Sequence, residues 1–277
     1  MSRSIRSIHL VALHRPPDTG IQYHLMRASS SSFTKANSTP FKIAIDGEAA
    51  SGKSSLAKTL AARLPNFVHL NSGAIFRAIT YLSLQNSLLP SSPPLTPSTI
   101  AQIASLTSAS LSISLSPPST TPCINTTPVP PETLHSPLVT TYVQTIAPIP
   151  EIRTLVLQKQ LNFIKAYPRV IVEGRDIGSV VMPDADIKIY LTANENARAA
   201  RRLEEDARRY GGDGKRVEDV KKELHERDAR DKNRSVAPLV VPKNAVVIDS
   251  SGKTLEQVTE LVIKLITKKL VVNTVEA

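Results

Sequence analysis

The chain has 277 residues, a formal net charge of +10 and 41% hydrophobic residues. That length supports one large α/β domain with an insertion, or two small domains, and nothing in the composition suggests a wholly disordered chain. A single cysteine, Cys123, excludes an internal disulfide and a cysteine-built zinc site, and no apolar run approaches the roughly 18 residues of a membrane helix.

Residues 1 to 38 carry Arg3, Arg6, Arg15, Arg27 and Lys35 against one acid, Asp18, with serines throughout. This is the composition of an organelle transit peptide, mitochondrial or of another matrix. A disordered tail on a cytoplasmic protein is the alternative. The folded domain is expected over 41–277, after a targeting or disordered segment at 1–40.

Phe41 to Leu64 reads as a strand, a glycine-bounded loop and a helix in succession. Gly47, Glu48, Ala49, Ala50, Ser51, Gly52, Lys53 and Ser54 satisfy G-x-x-x-x-G-K-[ST]. Such a loop aims backbone N–H groups and a helix N-terminus at phosphate, so a nucleoside triphosphate is the expected ligand. Lys53 supplies a charge that can follow the transferring phosphate. Ser54 or Ser55 is placed to meet magnesium.

Phe67 to Leu70 leads into a helix begun by Ser72 and Gly73, with Ala74, Ile75, Ala78, Ile79 and Leu82 as its buried stripe. From Ala78 through Pro131 there is no charged residue. Pro90 to Pro97 and Pro117 to Pro131 read as irregular. Ile100 to Leu106 is expected to be helical, and Leu111, Ile113 and Leu115 alternate as a half-buried strand does. This uncharged stretch is thus expected to hold a helix and one or two edge strands, within a small, loop-rich insertion over 83–150.

Helices are expected at 136–145 and 151–167, strands at 170–172, 187–191 and 245–248, and a closing helix at 254–269. A charged helical segment from about 197 to 236 is broken at GGDG, 211–214. It holds ten acids and thirteen basic residues without aromatic interleaving, which argues against a nucleic-acid surface. A solvated hairpin is one reading. The other is a mobile lid that brings charge over phosphates and keeps water out. Strands alternating with helices imply a doubly wound parallel sheet, with ligands at the carboxyl ends of its strands.

Arginines supply the rest of the chemistry. Arg77 and Arg153 are single arginines on apolar helical faces flanking the insertion. Two guanidinium forks facing one pocket suit a phosphate-bearing acceptor, whereas each taken alone is more often a snorkelling surface residue. Arg175 and Asp176 follow a strand directly, at the usual ligand crevice, although a structural ion pair is the alternative there. No hydrolase triad or zinc site is present in the pattern. His69, His135 and His225 receive no ligand role.

These blocks carry a family resemblance. IAIDGEAASGKSS, LNSGAIFRA at 70–78, EGRDIGSVVMPDADIKIYLTA at 173–193 and RDARDKNRSVAPL at 227–239 resemble the bacterial-type cytidylate kinases among the nucleoside monophosphate kinases. The family reads DGRDIG where this chain has EGRDIG. The resemblance implies a P-loop kinase fold with a helical lid, and transfer of the ATP γ-phosphate to CMP or dCMP with magnesium. Ser72, Arg77, Arg153, Arg175, Asp176, Asp231 and Arg234 become acceptor-site residues, and Lys53, Arg175, Arg198, Arg202 and Arg234 the phosphate-stabilising set, with Arg201 also among the lid arginines. Gln144 and His135 stand where the family often has Ser and Arg, which bears on base selectivity. A UMP or other monophosphate kinase and a non-catalytic nucleotide-binding module remain as alternatives. Partners are expected to be small molecules, without nucleic acid or membrane, and nothing demands more than a monomer.

Overall fold

Phe41, Ile43 and Ile45 pack on one face of the first strand, β1 (Phe41–Gly47), while Ala44 packs on the other. A two-residue period with both faces covered is the signature of a strand inside a sheet. In this computed structural model residues 39–90, 94–211 and 214–275 are described, with side chains as far as 270. The expected targeting segment lies almost wholly outside the described residues.

The sheet runs β3-β4-β2-β6-β1-β7-β8, with β5 paired to β4. Here β2 is Val68–Asn71, β3 Leu111–Ser116, β4 Ser119–Ile124 and β5 Thr127–Pro128; β6 is Arg169–Glu173, β7 Ile187–Thr192 and β8 Val246–Asp249. From β4 to β8 every pairing is parallel, and β3 and β5 are antiparallel to β4. Helices α1 (Lys53–Arg63) and α9 (Leu255–Val275) cover one face through Leu56, Leu60, Val258 and Val262. The other face is covered by α2 (Ser72–Gln85), α5 (Pro137–Ile146) and α6 (Pro150–Ala166), with Ile103 of α3 (Pro97–Ser110) and Leu134 of the short α4 (Pro131–Leu134). The fold is the expected doubly wound α/β arrangement. Strand β1 is flanked by β6 on one side and β7 on the other, so its carboxyl end is the switch point where a crevice opens.

The insertion is more regular than its composition suggested. Pro117 to Pro131 was expected to be irregular, yet it contains β4 and β5. β-Branched Thr120, Thr121 and Ile124 favour extension, and Pro122 contributes its carbonyl to Val129 N–H at 2.9 Å, a bond that needs no donor from proline. There are three strands rather than one or two, and β4 joins the main sheet through the pairing of Ser119 with His69. Pro97, also expected to be irregular, opens α3, where Thr96 Oγ1 caps Thr99 N–H at 3.2 Å. The charged segment forms α7 (Glu195–Tyr210) and α8 (Val217–Asn233), joined through 211–216.

Candidate active site

The loop after β1 sits against the neighbouring strand. A Cβ at Gly47 would lie 1.9 Å from the Leu191 carbonyl oxygen, and its φ of +144° is one that side chains disfavour. Lys53, at the start of α1, is 7% exposed. Its Nζ donates to the Glu48 carbonyl and lies 3.3 Å from Ser51 Oγ. Burial, then the charge of Arg175, hold the ammonium well below the ordinary lysine range, opposed by Glu173. An anion placed beside Lys53 relieves that strain. The Glu48 side chain turns away, accepting from Lys232 at 3.0 Å and Thr192 at 3.1 Å.

The α7–α8 hairpin grips this loop from outside. Arg198 is buried, pairs with Asp228 and donates to the Ala49 carbonyl at 3.3 Å, while Asp228 accepts the Ala49 N–H at 2.9 Å. Arg201 donates to the Ser51 carbonyl at 3.1 Å and the Ser250 carbonyl at 2.7 Å. Arg198 therefore braces the loop backbone instead of standing free. Arg202 pairs with Asp206 at 3.0 Å and Glu205 at 3.6 Å along its own helix.

Opposite the loop, arginines arrive from four elements. Arg77 and Arg153 are only 6% and 8% exposed, so neither is a snorkelling surface residue. Arg77 donates to the Leu134 carbonyl at 3.0 Å and to Thr140 Oγ1 at 2.9 Å. Arg153 pairs with Asp176, donates to the Ala147 carbonyl at 3.1 Å and lies 5.4 Å from the Phe76 ring centroid. Arg175 joins two parts of the site, donating to the Gly47 carbonyl at 2.7 Å and to Asp231 at 2.9 Å. Arg234 donates to the Ala237 carbonyl and lies 3.8 Å from Asp176. Ser72 accepts from Gln160 at 2.7 Å. Ser72, Phe76, Arg153, Gln160, Asp176 and Val181 line a cavity of about 130 Å³.

The field between the two sides is strongly positive. Burial, and then Arg227, Arg202 and Arg209, lower Arg77 to about 9. Burial, and then Arg175, lower Arg227 to about 10. His135, partly buried beside Arg77, Arg209, Arg202 and Arg227, is pushed down to about 3, burial being the larger cause. Arg209 and Arg234 each keep a buried guanidinium nitrogen with no hydrogen-bond partner. Buried donors of this kind, gathered under a common positive field, are complementary to phosphate oxygens. The Tyr210 hydroxyl donates to the His135 carbonyl, so the end of α7 reaches across to the insertion.

Asp46 shapes the rim. Its oxygens accept the N–H groups of Ile177 and Gly178, both at 2.7 Å, which seats the segment after EGRD, including the single π-helical turn Ile177–Val181. Burial raises its carboxyl to about 6 against the lowering effect of those N–H groups.

For magnesium the relevant pair is Ser54 and Glu173. Ser54 Oγ donates to Glu173 Oε2 at 2.7 Å, at the carboxyl end of β6 beside the loop. A hydroxyl and a carboxylate are the hard oxygen donors that magnesium takes, usually one or two from protein with the remainder from water and phosphate. The two residues fit that ion. Ser55 is exposed and stands outside the pair.

Several participants were not singled out from the sequence: Asp46, Glu173, Arg209, Arg227 and Asp228. Arg227 and Asp228 stand inside RDARDKNR, and Glu173 opens EGRD, so the motif blocks held the signal. What they lacked was any indication of direction. Gln144, by contrast, is exposed on α5.

A sequence model described as "Cytidylate kinase" matches residues 43–268. Curated relatives of that name align over most of the chain. One from Clostridium botulinum (strain Okra / Type B1) is 36% identical, covering 82% of this chain and 97% of the relative. One from Onion yellows phytoplasma is 38% identical, covering 83% and 96%, and one from Streptomyces griseus is 37% identical, covering 83% and 94%.

Proposed function

The chain belongs to the cytidylate kinase family and is a nucleoside monophosphate kinase; we propose that it transfers the γ-phosphate of ATP to CMP or dCMP, giving ADP and CDP or dCDP. The observation that carries this reading is the facing of two phosphate-binding halves across one space. Lys53 and the loop at 47–54 form one half, and Arg77, Arg153, Arg175, Arg227 and Arg234 converge on the other.

Catalysis by such an arrangement is positioning and charge stabilisation, with no protein base required. The loop backbone cradles the donor phosphates, and Lys53 follows the transferring group. Arg77 and Arg175 orient the acceptor phosphate toward it, their guanidinium forks already fixed by Thr140, Leu134, Gly47 and Asp231. Ser72 and Asp176, on the neighbouring cavity beside Arg153, take the ribose and base. The hairpin α7–α8 acts as the lid over residues 197–236, a reading supported by its contacts to the loop and to His135, and its closure would exclude water. Ser54 and Glu173 would hold magnesium, which when bound would supply charge neutralisation to the nucleotide phosphates.

ADP formation from ATP with CMP, dCMP, UMP and AMP in turn tests the assignment. The expected result is the highest kcat/KM with CMP or dCMP. Preference for UMP would move the assignment to another monophosphate, and no ADP with any acceptor would leave a nucleotide-binding module. We also propose that residues 1–40 direct the protein to an organelle matrix. A reporter fused to this segment should accumulate there, and a diffuse cytosolic signal would defeat the proposal.

A further inference from the structure

Beneath the phosphate loop lies a chain of polar side chains, its two central members buried, that the transfer itself does not explain. Glu173 is 3% exposed and His69 1%. Glu173 Oε2 accepts from Ser54 Oγ at 2.7 Å, and its other oxygen, Oε1, lies 3.1 Å from His69 Nε2. On the far side of the ring, His69 Nδ1 lies 3.3 Å from Ser119 Oγ. Ser119 opens β4, whose register pairs it with His69.

We propose that His69 is a positioning residue for the magnesium site, holding the Glu173 carboxylate so that its free edge faces Ser54, and that Ser119 of the insertion fixes the ring that does so. Glu173 lies in the fields of Lys53 and Arg175 as well. Left alone, a buried carboxylate between such cations swings toward whichever is nearer, and its metal-facing oxygen is lost. The Nε2–H bond removes that freedom by engaging Oε1. An acceptor-only carboxylate requires the proton on Nε2, so in the neutral ring Nδ1 accepts from the Ser119 hydroxyl. The side-chain length at 173 belongs to the same device. An aspartate there would be one methylene short, and could not span both His69 and Ser54 from this backbone position. The consequence is that β4 of the insertion supports the donor side of the site as well as the acceptor side.

The inference rests on reading Ser54 and Glu173 as the magnesium residues, so the experiment carries a control for that reading. Mn2+ affinity of the protein–ADP complex is measured by electron paramagnetic resonance, and ADP affinity is measured separately in EDTA. His69→Asn, too short to reach Glu173, should weaken Mn2+ binding about tenfold, the usual consequence of removing a group that orients a metal ligand. His69→Gln, whose amide N–H can replace Nε2–H, should stay within about twofold of the parent, by the same reasoning. Ser119→Ala should weaken Mn2+ binding by less than His69→Asn. All three should bind ADP in EDTA as the parent does. Equal Mn2+ affinity in His69→Asn and His69→Gln, or equal loss of ADP affinity with and without metal, would overturn the positioning role. If Glu173→Gln binds Mn2+ normally, the metal reading itself fails. If Glu173→Gln is impaired and His69→Asn is not, only the present inference fails.

Discussion

The two sides of the active site are built in opposite ways. The phosphate loop is local: eight consecutive residues, Gly47 to Ser54, run on from the end of β1, and the close pass of Gly47 over Leu191 sets their path. The facing side is assembled at long range, from α2, α6, the end of β6 and α8, with each guanidinium held by a carbonyl or carboxylate from somewhere else. A loop that binds through its backbone tolerates most side-chain changes outside Gly47, Gly52, Lys53 and Ser54. A side built from arginine forks depends on every partner that aims them.

The largest expected effect tests the local side. Lys53→Ala should lower turnover by about a hundredfold or more, the scale expected for removing a charge that acts on the transferring group. Near-normal turnover would show that Lys53 is a structural lysine. On the assembled side, Arg77→Met should lower kcat/KM for CMP by roughly tenfold to a hundredfold, as losing charge-assisted bonds to a phosphate does. Its ATP affinity should be unchanged. If ATP affinity falls equally, the two sides are not separable in the way their construction implies.

A smaller effect concerns the positive field on the assembled side. The proton affinity of His135 is 6.5 in its ordinary state and about 3 in the folded protein, so its contribution to stability is fully present above pH 6.5 and is lost as the pH falls through this window. On going from pH 7 to pH 5 the parent Tm should drop by a few degrees more than that of His135→Gln. Identical slopes would mean that the ring is not enclosed by the arginines. Smallest of all, Gln144→Ala should change kcat/KM for CMP by less than about twofold, since an exposed side chain with no tie to the cavity contributes little. A tenfold loss would place α5 closer to the base than its exposure indicates.

Much of the fold was legible because periodicity reports burial. Each of the strand pairs Ile43 and Ile45, Val170 and Val172, and Ile187 and Ile189 has the two-residue spacing of one sheet face, and the structure packs the first and third pairs on one face and the second on the other. Pro117 to Pro131 was not legible, because proline and serine weigh toward loops whereas the partners that make β4 a strand, His69 and β3, lie elsewhere in the chain. The site shows the same division. Arg77, Arg153 and Arg175 could be noticed as charges on apolar faces or at a strand end. Arg198 could not be distinguished from a solvated helix residue, nor assigned its bracing position, until Asp228 was seen across the hairpin.

By itself the sequence determined the nucleotide loop, the alternation of strands and helices, and membership of the cytidylate kinase family, since each is written in contiguous residues whose backbone chemistry or burial period is local. Only the tertiary structure decided which charges face the same space. The Arg175–Gly47 bond joins residues 128 positions apart and the His69–Glu173 contact residues 104 apart. Electrostatic energy depends on distance through space and on burial, and neither is carried by the order of residues along the chain.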